Sequence, residues 1–331
     1  MTTESPKTVI VTGASGFIAG NLIPRLLEDR YRVFGVDILP APFTHHNYTH
    51  YQLDLVSQDP RELFGLVGNV DYIIHLAART DLHGMRLIDY KPNTDGVFTI
   101  CRLALLMNNV RVSFASSQLV NAVGDIAISV DDYAPDSIYG ISKTIGEYIV
   151  GSILAESRVS YVIFRPTTVW GPGMSSHYQA FLRLLQKRLY FHPSLKAVKS
   201  FAFIDNAVSQ ILALTFNRDI SPSPIVYVCD DIPVDVSRWC DDLAAAMGVM
   251  APLKLPYLLC KFVAIANELG SLAFGRSRPF IPLTSRRLRN ITTSYSFCSS
   301  VPLERYSKPF VSYDNAVRKT AQWFLALSDD L

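Results

Sequence analysis

The chain has 331 residues, 49% of them hydrophobic and 18% charged, with 31 Lys and Arg against 29 Asp and Glu. So apolar and nearly neutral a composition excludes an intrinsically disordered chain, and a net charge of +2 lacks the basic excess of a dedicated nucleic-acid binder. At roughly 100–200 residues per domain, the length allows one large domain or two moderate ones.

In chain order, Thr8–Thr12 (TVIVT) reads as a buried strand, 18–29 as a helix and 32–36 (RVFGV) as a second strand. Further strands are expected at 71–76 (DYIIHL), 110–115 (VRVSFA) and 161–164 (YVIF), with helical patterns at 97–108 and 140–156. Apolar strands without polar alternation, separated by helices, imply a parallel sheet covered on both faces, which is a doubly wound α/β arrangement. After Arg165 the pattern loosens into a loop at 171–176, a helix at 177–189, a returning helix at 206–216 and a strand at Ile225–Val228. Helices and Pro-punctuated loops follow from about residue 230. A smaller, partly discontinuous C-terminal domain is therefore expected, with 1–170 and 198–229 forming the nucleotide-binding domain and 171–197 and 230–331 the substrate domain.

The apolar segment 255–275 reads first as a core helix, with the lining of an apolar pocket or a membrane contact as alternatives. Lys261 and Glu268 interrupt it, so it falls short of the ~20 apolar residues of a membrane span. The N-terminus has no basic region leading into an apolar run and a small-residue cleavage site, so a cytoplasmic protein is expected. Cys101, Cys229, Cys240, Cys260 and Cys298 are odd in number and scattered, as small core hydrophobes would be, and no metal ligand set is expected.

The sharpest local signal is Val11-Thr12-Gly13-Ala14-Ser15-Gly16-Phe17-Ile18-Ala19, a Gly-x-x-Gly-x-x-Ala turn between strand and helix. Gly13 permits a tight turn, Gly16 leaves room for a pyrophosphate at the helix N-terminus, and Ala19 lets helix and strand pack closely. Asp37 ends the second strand 18 residues after Ala19 and has no basic neighbour. A carboxylate there accepts hydrogen bonds from ribose hydroxyls and repels a 2′-phosphate, so NAD is expected rather than NADP. Tyr139 and Lys143 stand four apart at the start of a helix, on one face. An ammonium beside a phenol lowers its pKa and fits it to remove a hydroxyl proton. Ser117, at a strand end 22 residues upstream, is placed to hydrogen-bond the reacting oxygen. His75 reads as a packed or hydrogen-bonded strand-end histidine.

On these residues the sequence resembles the extended short-chain dehydrogenase/reductase family, of the NAD-dependent epimerase/dehydratase type. The resemblance covers nearly the whole chain and includes Asp54-Leu55, His75-Leu76-Ala77-Ala78, Asn93-Thr94-Asp95-Gly96, the run from Arg165-Pro166 to Gly171-Pro172-Gly173, and Ser200 to Asp205. It implies a Rossmann-type fold and NAD contacts at Gly13, Ser15, Gly16, Phe17, Ile18, Asp37, Asp54, Leu55, Leu76, Ala77, Ala78, Tyr139 and Lys143. Asp54 and Leu55 would contact the adenine, Ala77 the cofactor backbone and Lys143 the nicotinamide ribose, while Asn93 would support the active-site helix. Ser117, Tyr139, Lys143 and Asn93 form the implied catalytic set.

Three departures bear on the substrate. Ser117 is followed by Gln118-Leu119 rather than the Asp-Glu pair of members that dehydrate a sugar, which disfavours 4,6-dehydration. Asn121 stands where a Val-Tyr-Gly continuation is common, and Thr168 where Asn often follows Arg-Pro-x. Relatives act on nucleotide-diphosphate sugars or, in a smaller branch, on 3β-hydroxysteroids. A diphosphate needs cations, preferably arginines, and 271–290 carries Arg276, Arg278, Arg286, Arg287 and Arg289 with no acid. The expected substrate contacts are Gln118, Asn121, Thr168, Arg276 and Arg286. The expected function is an NAD-dependent nucleotide-sugar epimerase or oxidoreductase working at C4, with polysaccharide clusters as a softer resemblance. A 3β-hydroxysteroid dehydrogenase-like enzyme and a non-catalytic NAD-binding scaffold are the alternatives. A homodimer through the helices at 97–108 and 140–156 is expected by resemblance.

Overall fold

The computed structural model describes residues 6–125, 127, 129–217, 224–274, 283–297, 299, 301 and 310–329. Its elements in chain order are β1 (Thr8–Thr12), α1 (Phe17–Glu28), β2 (Arg32–Asp37), β3 (Tyr48–Gln52), α2 (Pro60–Val67), β4 (Tyr72–His75), α3 (Asp95–Leu106), β5 (Arg111–Ala115), α4 (Ile138–Leu154) and β6 (Ser160–Pro166). There follow β7 (Thr168–Trp170), α5 (Ser176–Gln186), β8 (Phe191–Pro193), β9 (Val198–Lys199), β10 (Phe201–Phe203), α6 (Ile204–Phe216) and β11 (Ile225–Val228). The last are β12 (Val234–Asp235), α7 (Val236–Ala246), β13 (Leu253–Leu255), α8 (Tyr257–Ala273), α9 (Ser285–Thr292) and α10 (Tyr313–Asp329).

Seven strands form one parallel sheet in the order β11-β6-β5-β4-β1-β2-β3. The unbroken apolar runs of β1, β4 and β5 follow from burial on both faces. Val9, Val11 and Ile74 join a core shared with α1 and α6, whereas Ile10, Ile73 and Val112 join a second core shared with α2, α3 and α4. The strand order reverses between β1 and β4, so the loops after these strands face each other at the carboxyl edge, where doubly wound sheets bind ligands. The strands and crossover helices that the sequence predicts lie within two or three residues of their expected places. Two elements of this sheet and its crossovers are not predicted: β3, whose Tyr-Thr-His-Tyr-Gln pattern is that of a half-exposed edge strand paired only with β2, and the short helix α2 that follows it.

Beyond β6 the chain builds small two-stranded pairs, β7 with β10, β9 with β12 and β8 with β13. They pack around Trp170 and Trp239, whose rings meet edge to face at 5.6 Å. The expectation of a core helix at 255–275 is not met. Helix α8 buries Cys260, Ala264, Asn267 and Ser271, while Leu258, Phe262, Leu269 and Leu272 are exposed. Apolar composition predicts the helix but not which of its sides points inward. Among the described residues no helix is long and apolar enough to cross a membrane. Cys101, Cys229, Cys240 and Cys260 are buried free thiols, as expected of small hydrophobes, and Cys298 lies outside the described residues.

Candidate active site

The turn after β1 is shaped by two close approaches. Gly13 has φ +67°, and a Cβ there would stand 2.7 Å from the Ala77 nitrogen, so a side chain is refused by both backbone and space. Its N–H donates to the Val36 carbonyl at 2.9 Å, and Gly16 N–H donates to the Gly13 carbonyl at 2.9 Å. Helix α1 then begins at Gly16 with no side-chain cap, so its first turn starts beside a groove of about 420 Å³ lined by Ser15, Gly16, Phe17, Gly20, Asn21 and Pro172. Asp37 stands across this turn, its two carboxylate oxygens accepting Ser15 N–H at 3.0 Å and Leu39 N–H at 2.9 Å. These bonds fix the carboxylate and leave each oxygen a further lone pair.

On the opposite wall, Leu76 N–H donates to the Thr12 carbonyl and Ala77 N–H to the Thr12 hydroxyl, each at 3.2 Å. Ala78 follows, half-buried. Asp54 turns the chain by accepting Val56 N–H at 3.0 Å, beside buried Leu55. The uncapped helix start, the side-chain-free approach at Gly13 and the oriented Asp37 together fit a dinucleotide, with the pyrophosphate at α1 and the adenosine ribose at Asp37. His75 takes the structural place expected of it, with Nδ1 2.8 Å from the Thr12 hydroxyl. The same hydroxyl accepts the Ala77 N–H, so the ring is tied to both β1 and the turn after β4. Burial, followed by the nearby Lys143 charge, pushes the His75 pKa down to about 3.

Helix α4 starts on Ser137, whose Oγ accepts the Gly140 N–H at 3.1 Å. Gly140 lies against the turn after β5, where a Cβ would stand 2.1 Å from the Leu119 carbonyl oxygen. This contact brings Tyr139 to Ser117. The two side chains face each other closely enough for the Ser117 hydroxyl to act on the phenol, and Ser117 Oγ accepts Leu119 N–H at 3.1 Å. Burial pushes the Tyr139 pKa up to about 12, the Ser117 hydroxyl opposing it and the Tyr90 phenol adding to it. One turn on, Lys143 Nζ donates to the Ala115 carbonyl at 2.9 Å, and burial takes its pKa down to about 8 against the opposing charge of Glu147. The spacing argument that Lys143 lowers the phenol pKa is therefore corrected for the protein alone. The ammonium is held on β5, and desolvation dominates the phenol.

Asn93, fully buried, ties the loop after β4 to this helix. Its Oδ1 accepts Arg79 N–H at 2.9 Å, and its Nδ2 donates to the Arg79 carbonyl and the Ser142 hydroxyl at 3.0 and 2.8 Å. Ser142 in turn donates to the Tyr139 carbonyl at 2.6 Å. Sequence reasoning missed the next turn of α4. Glu147, four residues after Lys143, is paired with Arg165 at 2.8 and 2.7 Å, both side chains being out of solvent. Burial alone would depress the Arg165 pKa, but the bonds and charge of Glu147 raise it above the ordinary range. Tyr133 donates to the other edge of Glu147 at 2.8 Å, and Ser116, next to Ser117, also donates to it. The spacing Tyr-x-x-x-Lys-x-x-x-Glu was the available signal.

The expected substrate contacts divide. Gln118 and Thr168 meet at Tyr295, which Gln118 Nε2 reaches at 3.2 Å and to which Thr168 is also hydrogen-bonded. Lys199 lies over the Tyr295 ring, 4.7 Å from its centroid, donates to Asn290, and is brought down to about 8 by burial. Neither Tyr295 nor Lys199 was singled out from sequence, since they lie far from the motifs they approach. Asn121 turns away, its Nδ2 donating to the Asp132 carbonyl at 2.9 Å. Arg286 is 4.0 Å from Asp136 and Arg289 is 2.6 Å from it, so α9 is pinned beside the start of α4. Arg276 and Arg278 lie outside the described residues. Among the described residues no cluster of metal-ligating side chains occurs.

Residues 9–229 match the NAD dependent epimerase/dehydratase family. The chain is 26% identical over 255 residues to a UDP-glucose 4-epimerase of Vibrio cholerae, covering 74% of this chain and 77% of that one. It is also 26% identical over 178 residues to a 3-beta-hydroxysteroid dehydrogenase of Mycolicibacterium neoaurum, covering 50% and 48%. Among solved structures, the UDP-glucuronic acid 4-epimerase from Bacillus cereus in complex with NAD superposes with a TM-score of 0.73 at 18% identity, over 97% of this chain and 99% of that one. The chain belongs to the NAD dependent epimerase/dehydratase family and is an NAD-dependent enzyme of the extended short-chain dehydrogenase/reductase type.

Proposed function

We infer that the enzyme is a nucleotide-sugar 4-epimerase. The observation that carries this reading is Tyr139 set against Ser117, with Lys143 one turn on and bonded to the Ala115 carbonyl, and with Gln118, next to Ser117, reaching Tyr295 at 3.2 Å. When bound, NAD would accept the hydride lost from C4, give the same hydride back to the other face of the keto sugar, and place a positive charge beside the phenol. Gly13, Ser15, Gly16, Phe17, Ile18, Asp37, Asp54, Leu55, Leu76, Ala77 and Ala78 would hold it, and Lys143 would take the nicotinamide ribose.

In this reading Tyr139 Oη takes the proton from the sugar C4 hydroxyl, and Ser117 Oγ donates to the same oxygen as it becomes a carbonyl. Asn93, through Ser142, fixes the α4 turn that carries Tyr139. The keto sugar then presents its other face, and Tyr139 returns the proton. Gln118-Leu119 after Ser117 offers no carboxylate pair for removing water, which sets this site apart from a dehydratase. The segments 171–197 and 230–331 would form the sugar-nucleotide side, with Lys199, over the Tyr295 ring that Gln118 reaches, as a cation for the diphosphate. The outward Phe98 of α3 and Tyr148 of α4 support a homodimer through those helices. The steroid alternative needs an apolar pocket wall, and the apolar side of α8 points outward instead.

Calorimetric titration of the NAD-loaded protein with UDP, GDP, CDP and dTDP tests the substrate class. Micromolar binding of one of them is expected, followed by interconversion of C4 epimers of the matching nucleotide sugar, read by NMR. If none of the four binds, the nucleotide-sugar reading is wrong and a 3β-hydroxysteroid becomes the substrate to try.

A further inference from the structure

Helix α8 presents the reverse of an ordinary surface helix. On a globular domain the apolar stripe faces the core, yet here the inward positions are Cys260, Ala264, Asn267 and Ser271. The outward stripe is bulky: Leu258 is 76% exposed, Phe262 70%, Leu269 61% and Leu272 78%. The orientation is fixed by hydrogen bonds. Asn267 Nδ2 donates to the Leu283 carbonyl at 2.8 Å, and the Glu268 carboxylate accepts the Ser285 N–H and hydroxyl, each at 2.8 Å. Rotating the leucines inward would strand both groups.

What covers this stripe is indicated by charge. From Leu253 to Thr292 the sequence carries seven Lys and Arg against the single acid Glu268, in a chain otherwise balanced at 31 to 29. Lys261 is exposed within the stripe, and exposed Lys187 and Arg188 precede β8, which pairs with the β13 strand leading into α8. Lys254 is paired with Asp241, and Arg286 and Arg289 with Asp136, which reduces the excess without reversing it. A second copy seated here would set like charge against like charge. An anionic lipid surface takes both features, apolar side chains at the acyl boundary and cations among the phosphates.

We propose that α8 seats this protein on an anionic bilayer, lying in the interface with Leu258, Phe262, Leu269 and Leu272 inserted and Lys261 at the headgroups. At about 1.5 Å per residue the helix is roughly 25 Å long, shorter than the ~30 Å hydrocarbon core, so it rests on the membrane rather than crossing it. Helix α9, hydrogen-bonded to α8 and ion-paired to Asp136 three residues before Tyr139, links the docking helix to the start of α4.

The test is sedimentation of the full NAD-loaded chain with vesicles of phosphatidylcholine alone or carrying about 30% phosphatidylglycerol. Sedimentation with the anionic vesicles, weakened by salt and lost in Phe262→Glu/Leu269→Glu with NAD binding retained, is expected. Leu258→Gln/Leu272→Gln serves as a second pair should the first not fold, and Lys261→Glu should weaken the binding. Wild-type protein left in the supernatant, or a double variant that sediments like wild type, overturns the proposal. So does a concentration-dependent dimer abolished by Phe262→Glu, which would assign the stripe to a second copy.

Discussion

Helices α4 and α8 each run seventeen residues, each is rich in apolar side chains, and each turns polar groups inward. They differ in what those polar groups meet. On α4, Lys143 finds the Ala115 carbonyl, Ser142 finds Asn93, and Glu147 finds Arg165, so two successive turns are bonded to β5, the loop after β4 and β6. On α8 the inward side is small, and its bonds reach Leu283 and Ser285 on the segment that leads into α9. Apolar content makes both segments helical. The partners available on neighbouring elements decide which face is buried and how tightly the helix is held.

If α4 is the working helix, the largest effect in the molecule belongs to Tyr139. Tyr139→Phe keeps the ring in its packing and removes the one group able to take a proton, so turnover should fall about 10²–10⁴-fold with NAD affinity nearly unchanged. Steady-state kinetics with the nucleotide sugar selected by titration would decide it, and unchanged turnover would remove Tyr139 from the reaction. Next comes the anchor of the same helix. Glu147→Gln leaves Arg165 buried without its counter-charge, and loss of one partner of such a pair costs about 3–5 kcal/mol. A shift in the denaturant midpoint of that size is expected. A change under about 1 kcal/mol, the scale of a surface pair, would place the pair in contact with water.

The contrast also marks what the sequence could disclose. The dinucleotide turn, Asp37 and the Tyr139–Lys143 spacing are each written within a few residues, because tight turns and helix faces are local geometry. Glu147 and Arg165 are 18 residues apart and meet only because α4 crosses the end of β6. Gln118 and Tyr295 are 177 apart. No periodicity carries such information. The spacing of Tyr139 and Lys143 was read correctly as one face, yet its electrostatic consequence was not, since burial outweighs a neighbour whose ammonium is already bonded to a carbonyl. Helix α8 was misread for a related reason. Its apolar composition argues for burial, but the side that points inward is set by Asn267 and Glu268 meeting Leu283 and Ser285, a pairing no local pattern carries.

Burial of Lys143 has a measurable sign. Its pKa falls from 10.5 to about 8 in the folded protein, so between these values the unfolded chain binds more protons than the native one. Stability contributed through this group therefore rises as pH climbs from about 8 to 10.5. Above pH 10, Tyr139, raised to about 12, acts oppositely, because the native state then holds the extra proton. The wild-type curve minus that of Lys143→Met isolates the lysine and should climb by roughly 1–3 kcal/mol across its window. A flat difference would mean that Lys143 is solvated in the native state.

The smallest effect is expected on α8 and tests the comparison from its weaker side. Asn267→Ala removes the donor to the Leu283 carbonyl while keeping the small inward profile set by Cys260, Ala264 and Ser271. A hydrogen bond between neutral groups is worth about 1 kcal/mol net, and α8 presents a wide exposed face, so it should open as a local unit. Faster amide exchange confined to α8 and α9, about fivefold for that energy, is the expected signature, with exchange in β1, β4 and β5 unaltered. A global loss as large as that of Glu147→Gln would show instead that α8 is held in the common core as firmly as α4. Its outward leucines would then be a fixed part of the fold's surface rather than one side of a loosely anchored helix.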